Sequence, residues 1–477
     1  MKRNWLLLLA LVLQIQIGLG QNLVSFQKKA TLGSDLIDLV FGSSGLSFQY
    51  GVNAYKVEYL TTGTDGELDT ASGLVVIPDF NNEPLPTACF QHGTVDNRFD
   101  VPSELKGGWQ LAAALAGKGY LTFAPDYLGM GSSRGFHPYV HAETEARAAH
   151  DMYLILDELI ESAGLNVARN DQLFITGYSQ GGHASMAYHK FLEEQGEIPV
   201  TAAAHLSGPY SLSGVMKGII FNNEEYGRPA FVANVILSFA EVYGLYENIE
   251  EILVEPYASW LRQTYNEELG IFDLNDSIVS YMDIALGATI PSAMFQDSIL
   301  MQVANNPDHP INMALAENDL FNWSPNVPTL LGYCEGDETV NYLNAIVADS
   351  AMNALGAPAV STFNGGNLSH TGCVVPAMVA TINFFESFKV VNSRYAFESF
   401  PALRMFPNPA VGSIYFTGIP QGAQIGIYNL QGQLLWSERN ATETEQVSLA
   451  SFSEGMYVVK VMAENRVDTR KLIIQKG

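Results

Sequence analysis

Between Tyr55 and Phe80 apolar and polar positions alternate, and one turn-forming run, TGTDGE at 62–67, interrupts them. A period of two predicts strands, and a single turn inside it predicts a hairpin. Short apolar runs then alternate with stretches whose apolar positions lie three and four apart. The runs predict strands over Thr87–His92, Tyr120–Ala124, Leu173–Thr176 and Val200–Leu206. The wider spacing predicts helices over Ser103–Gly117, Glu143–Ser162 and Gln180–Glu194, the second carrying Ala146, Ala149, Met152, Tyr153, Leu156 and Ile160 on one side. Such alternation implies a mainly parallel sheet covered by helices on both faces.

The alternation stops near residue 213 and resumes near 325. Within the gap Phe231, Val232, Val235, Ile236, Phe239, Val242 and Tyr243 repeat at helical spacing. The gap reads as a helical insertion, either packing material or a cap over a pocket. Its departure from the carboxyl end of a strand, where such sheets bind ligands, favours the cap. Beyond it, Pro328–Cys334 and Val360–Phe363 predict strands, and Asn341–Ala354 and Val374–Lys389 predict helices. Near residue 400 the pattern changes to short strands with Gly, Asn and Gln turns: Ser413–Thr417, Gln424–Tyr428, Gln433–Trp436, Met456–Met462 and Thr469–Gln475. That is a small antiparallel all-β unit.

Composition narrows the picture. The 477 residues are 47% hydrophobic and 16% charged, as expected of a folded chain with a large core. The net charge is −26, and the last 77 residues, with seven Lys or Arg against six Asp or Glu, contribute none of that excess. So acidic a body repels nucleic acid and anionic membrane surfaces. Residues 1–20 pair Lys2 and Arg3 with the apolar run Trp5–Leu13 and the small residues Gly18-Leu19-Gly20, the layout of an export signal. No later stretch predicts an integral membrane segment. Of three cysteines, Cys89 falls in a predicted central strand and reads as a buried thiol. Cys334 and Cys373 flank neighbouring segments, which leaves one bridge between them open.

The candidate chemistry centres on Gly177-Tyr178-Ser179-Gln180-Gly181, a G-x-S-x-G run between a predicted strand and a predicted helix. A turn this tight needs small residues and holds its serine out; the plain alternative is a turn serine. A serine hydroxyl attacks only when a base removes its proton. Among nine histidines, His370 lies in a glycine-rich loop after the last apolar strand, where its ring can reach the serine. His183, on the helix after the serine, reads as structural or pocket-lining. A carboxylate must orient the base, and Asp337 follows a buried strand in a Gly-Asp turn, with Glu335 and Glu338 beside it. Asp337 is preferred because the turn after Gly336 can aim its short side chain inward. An oxyanion site is expected from the Thr94 and Gln180 amides, with Gly93 allowing close approach to substrate. His92 reads as a support for that loop. Tyr127 and Tyr178 are candidates for contact with substrate. No H-E-x-x-H, C-x-x-C or G-x-G-x-x-G in a βαβ setting occurs, so neither a metal nor an organic cofactor is expected.

The segments HGT, APDYLGMGSSRGFHPYVHAETEARAAHD, GYSQGGHAS and GDETV, with Ser369-His370, resemble the α/β-hydrolase superfamily, in particular its secretory lipase-like branch, over about residues 50–395. That resemblance implies ester hydrolysis through an acyl-enzyme, a small-molecule ester or lipid substrate, and a structural Asp126. FPNPA at 406–410, GMYVVKV at 455–461 and the final TRKLIIQKG resemble the C-terminal sorting domain of the type IX secretion system of Bacteroidota. This implies the secretion machinery as partner and a secreted or surface location, reached through the periplasm and across the outer membrane. The expected division is a signal peptide at 1–20, an α/β-hydrolase domain at 21–399 with its cap at 213–325, and an Ig-like β-sandwich at 400–477. The leading expectation is a serine esterase or lipase. Its rivals are a serine peptidase of the same fold acting on short peptides, and a silent binding protein.

Overall fold

The computed structural model describes residues 22–41, 45–79, 84–390, 400, 403–429, 434–438, 442, 444–463 and 466–476. The expected export signal at 1–20 lies outside them, as do Phe80 and Gln433 at the ends of predicted strands. The main sheet has nine strands: β1 (Leu23–Leu32), β2 (Val52–Thr62), β3 (Leu68–Pro78), β4 (Leu85–Gln91), β5 (Leu121–Pro125), β6 (Arg169–Tyr178), β7 (Ala202–Leu206), β8 (Thr329–Tyr333) and β9 (Val360–Asn364). Their spatial order is β1-β2-β3-β5-β4-β6-β7-β8-β9. Strands β4 to β9 run parallel, and β1, β2, β3 and β5 pair antiparallel at one side.

Sequence explains this arrangement strand by strand. Every residue of β4, β5 and β7 is buried, so these strands are continuous small and apolar runs covered on both faces. Successive side chains go to opposite faces. Cys89, Phe123, Ile175, Ala203 and Leu331 meet Ala149, Met152, Met186, Leu192 and Ala348 from three helices on one face. Phe90, Ala124, Phe174, Ala204 and Leu330 meet Ile37, Leu115, Ala377 and Phe385 on the other. Strand β1 escaped the pattern reading because most of its residues are exposed, so it carries little hydrophobic signal.

Two predicted helices are interrupted. Ser103–Gly117 is a short 3₁₀ turn, Pro102–Glu104, followed by the helix Trp109–Gly117. Leu105, Gly107 and Gly108 all have positive φ, which a right-handed helix excludes. Glu143–Ser162 is two helices, Ala142–Leu154 and Leu156–Ser162. The last long helix begins at His370, four residues before the predicted Val374, because Ser369 caps it by accepting from the Gly372 N–H at 3.2 Å.

Between β7 and β8 the chain forms seven helical segments from Leu212 to Glu317 with two short 3₁₀ turns among them. They enclose their own apolar cluster, including Ile236, Phe239, Leu261, Leu274, Ile278 and Leu315. The tail holds β10 (Arg404–Phe406), β11 (Ser413–Thr417), β12 (Gln424–Tyr428), β13 (Leu434–Glu438), β14 (Thr444–Ser448), β15 (Gly455–Ala463) and β16 (Arg466–Ile474). They form two antiparallel sheets, β10-β11-β14 and β13-β12-β15-β16. Ile414, Phe416 and Val447 of one sheet share a core with Ile425, Ile427, Val459 and Leu472 of the other, which makes a sandwich. No helix among the described residues is long and apolar enough to cross a membrane.

Cys334, after β8, is bonded to Cys373 in the helix His370–Glu386, and Cys89 is a buried free thiol. The bridge closes a loop across a separation of 39 residues. By the chain-entropy account, removing it with Cys334→Ala and Cys373→Ala together lowers stability by about 3–4 kcal/mol. Urea unfolding of the oxidised wild type beside the double variant measures this; coincident midpoints would show that the bridge carries no stability.

Candidate active site

Strand β6 becomes the helix Gln180–Gln195 across one residue, Ser179, whose φ of 62° and ψ of −123° are unusual for a residue with a side chain. Such a backbone costs on the order of 1–3 kcal/mol and persists only where neighbours hold it. Here Ser179 N–H donates to the Leu206 carbonyl at 2.9 Å, and the Ser179 carbonyl accepts from Gly182 N–H at 2.8 Å. The flanking glycines are forced by contact. A Cβ on Gly177 would lie 2.1 Å from the Gly181 carbonyl oxygen, and one on Gly181 would lie 2.0 Å from that of Gln91.

His370 Nε2 lies 2.9 Å from Ser179 Oγ, and His370 Nδ1 lies 2.7 Å from Asp337 Oδ2. The carboxylate can only accept, so Nδ1 carries the proton and Nε2 offers its lone pair to the serine hydroxyl. Asp337 is itself fixed: its Oδ1 accepts from the Thr339 and Val340 amides at 3.0 and 2.8 Å. Its two neighbours are occupied elsewhere. Glu335 accepts from Asn364 Nδ2, and Glu338 accepts from the His370 backbone N–H. His370 is held from behind as well, since Tyr178 donates its hydroxyl to the His370 carbonyl at 2.6 Å. The Cys334–Cys373 bridge lies three residues from Asp337 on one side and three from His370 on the other, tying the two loops together.

Gly93 lies close to the serine turn. A Cβ there would meet the Tyr178 carbonyl oxygen at 3.2 Å and Ser179 Cβ at 3.5 Å. Gly93, Thr94, Tyr178, Ser179 and His370 border one open cleft of about 460 Å³. Ser179 and Gln180 also border an apolar cavity of about 70 Å³ beneath the inserted helices. Leu212, Ile220, Tyr226, Val235 and Leu315, all in or beside the insertion, line it. Nothing in the sequence pattern distinguished these residues from ordinary helix core. A third space of about 400 Å³ opens beside Thr94, His137 and Gln180.

Tyr127 is placed differently from the expectation that it contacts substrate. It is fully buried and lines none of these spaces. Its hydroxyl donates to the His92 carbonyl at 2.8 Å, and its ring packs against His92 and His137. Tyr127 therefore supports the Gly93 loop from below. His92 Nδ1 lies 2.8 Å from the Gly93 carbonyl, the supporting position foreseen for it. Asp126 is buried too and accepts from Ser72 Oγ and Ser103 N–H.

Sequence reasoning gave Glu145 no role and named no partner for His137. Gln180 Nε2 lies 2.8 Å from His137 Nε2 and 3.0 Å from Glu145 Oε1. His137 Nδ1 lies 2.9 Å from the Leu128 carbonyl, to which it donates, so its Nε2 is free to accept from Gln180. Burial pushes the His137 pKa down to about 4 and keeps the ring neutral. No group of three or more His, Cys, Asp or Glu suited to a metal ion occurs among the described residues.

Residues 404–475 match the model of the secretion system C-terminal sorting domain. No curated protein matches the chain. Among solved structures, the chain is similar to a suspected hydrolase from Legionella pneumophila, with 25% identity, a TM-score of 0.70, and 77% of this chain and 98% of that one covered. It is similar to the rice cell wall degrading esterase LipA from Xanthomonas oryzae at 25% identity and a TM-score of 0.65, covering 76% of this chain and 95% of that one. Candida antarctica lipase A shares the fold at 16% identity and a TM-score of 0.57, covering 78% of this chain and 84% of that one.

The neutral His137 sets a pH dependence. The unfolded chain takes up this proton near pH 6.5 and the folded chain only near pH 4. His137 costs no stability above the first value, and stability is lost progressively as pH falls from the first toward the second, by at most about 3 kcal/mol. Urea midpoints at several pH values across that window should fall more steeply for wild type than for His137→Gln. Equal slopes would remove His137 from the acid response.

Proposed function

We propose, for a chain that is an α/β-hydrolase carrying a type IX secretion sorting domain, that it is an exported serine esterase acting through Ser179, His370 and Asp337. The observation that carries this reading is the continuous chain from Ser179 Oγ through both His370 nitrogens to Asp337. The sorting domain directs export to the cell surface or beyond.

In this reading Ser179 Oγ attacks the ester carbonyl carbon while His370 Nε2 takes the hydroxyl proton. Asp337 steadies the resulting imidazolium through the Nδ1 proton. The carbonyl oxygen becomes an oxyanion held by the Thr94 and Gln180 amides; losing one such donor typically costs about 3–4 kcal/mol of transition-state stabilisation. The intermediate collapses, the carbon–oxygen bond to the alcohol breaks, and the alkoxide leaves with the proton from Nε2. A water molecule then gives its proton to Nε2 and attacks the acyl carbon. Collapse of that second intermediate returns the proton to Ser179 Oγ and frees the acid.

The two spaces that border Ser179 suit the two halves of an ester. The apolar cavity under the insertion suits the acyl chain, and the larger open cleft, lined by Phe90, Leu111, Phe231 and Phe272 with Asp96 and Arg228 beside them, leaves room for the alcohol. A cavity of about 70 Å³ favours a short acyl group.

Hydrolysis of p-nitrophenyl esters from acetate to palmitate tests both points. The expected rate peaks among the short chains, and Val235→Ala moves the peak to longer ones. Ser179→Ala lowers kcat by roughly 10⁴- to 10⁶-fold. Wild type inert on the whole series, or an alanine variant as active as wild type, would sink the reading.

A further inference from the structure

Behind the nucleophile turn lies a buried Glu–His pair that the mechanism does not use. Glu145, on the helix Ala142–Leu154, and His183, on the helix Gln180–Gln195, have side chains with no solvent exposure. Glu145 Oε2 lies 2.8 Å from His183 Nδ1, and His183 Nε2 lies 3.0 Å from the Asn318 carbonyl oxygen. Both ring nitrogens face oxygens that accept, and Glu145 Oε1 accepts a further hydrogen bond from Gln180. A buried pair of this kind is a poor source of stability, because desolvation offsets its attraction, and well-packed apolar residues often do as well. Its worth has to lie in direction.

Two ends of the network show what is directed. At one end is Gln180, the residue after the nucleophile and a proposed oxyanion donor. Its long side chain is held at Nε2 by two acceptors from different segments, His137 and Glu145. At the other end Asn318 Oδ1 accepts from Ala142 N–H, and Asn318 Nδ2 donates to the Tyr243 hydroxyl, each at 2.8 Å. Tyr243 ends the inserted helix Pro229–Tyr243, whose Phe231, Val232, Val235 and Ile236 line the apolar cavity. One unbroken polar chain thus runs from the oxyanion residue to the helix over the acyl site.

We infer that Glu145 and His183 are positioning residues that set the Gln180 amide against the oxyanion and hold the inserted helix in register with it. This inference rests on the esterase reading above. It is the carbonyl-facing and Gln180-facing hydrogen bonds that do the positioning, and a neutral residue of the same shape can make them all. A glutamine at position 145 can accept from Gln180 through its oxygen and donate through its nitrogen to a neutral His183, which still donates to Asn318. A leucine there takes one of two partners from each: Gln180 is left with His137 alone and His183 with the Asn318 carbonyl alone.

The test is steady-state hydrolysis of p-nitrophenyl butyrate by the full chain, with rates expressed per serine titrated by a fluorophosphonate. Glu145→Leu is expected to lower kcat by about 10- to 100-fold with KM changed by less than about threefold, as displacement of a group at the reacting centre does. Glu145→Gln is expected to stay within about threefold of wild type. Gln180→Met, which leaves the pair in place, is expected to show the same loss as Glu145→Leu. The double variant should lose no more than either alone, because both act through one amide. If Glu145→Leu does not fold, the Gln180→Met and Glu145→Gln results decide. Wild-type kcat per titrated serine in Glu145→Leu or Gln180→Met, a full loss in Glu145→Gln, or additive losses in the double variant would overturn the inference. A wild type inert toward both ester and fluorophosphonate would overturn the esterase reading and this inference with it.

Discussion

Carbonyl oxygens come so close to Gly177 and Gly181 that no side chain fits at either position. That crowding lets β6 reverse into a helix within a single residue and leaves Ser179 in a backbone state it would not adopt alone. The turn cannot relax, because strands on both sides hold it. Gln91 at the end of β4 lies against Gly181, and Leu206 at the end of β7 accepts from Ser179 N–H. The spatial order β4-β6-β7 is thus a requirement of the site. Strands far apart in sequence must be laid side by side before one hydroxyl can be held out. The fully buried apolar runs of β4 and β7 supply the burial that keeps them there.

Much of this was legible in the sequence where the signal was local. The glycines of G-x-S-x-G mark the turn because close backbone approach leaves no other residue type. The alternation of short apolar runs with helical spacing marks the sheet because central parallel strands are buried on both faces. Asp337 stood out from Glu335 and Glu338 through its turn, and the hydrogen bonds from Thr339 and Val340 are that turn. Where the reading failed, two local signals conflicted or none existed. Gly372 made the start of the last helix look like loop, although a serine cap absorbs its N–H. The alanine-rich run after Trp109 made a helix look longer than Gly107 and Gly108 permit. Tyr127 follows the carboxyl end of β5, where such sheets bind ligands, but its direction depends on His92 and His137. The link from Glu145 to His183 to Asn318 joins three segments separated by 38 and 135 residues, and no pattern along the chain encodes it.

The site is also set apart from the acidity of the chain. The carboxylate that matters is enclosed, with Asp337 almost fully buried and each oxygen engaged. The histidines near the nucleophile are kept from charging by burial, as with His137, His92 and His205, or face a carboxylate, as His183 does. The surface charge is left to govern solubility and encounter.

The inserted helices keep their apolar residues largely to themselves. Their cluster draws Tyr139 and Val140 from the hydrolase body and otherwise consists of insertion residues, while the sheet is packed by two separate clusters. Heredity can exploit that separation. Changes inside the insertion can reshape the apolar cavity without passing through the apolar packing that holds the serine turn. The pocket can thus be remodelled while the strands that hold Ser179 keep their own packing.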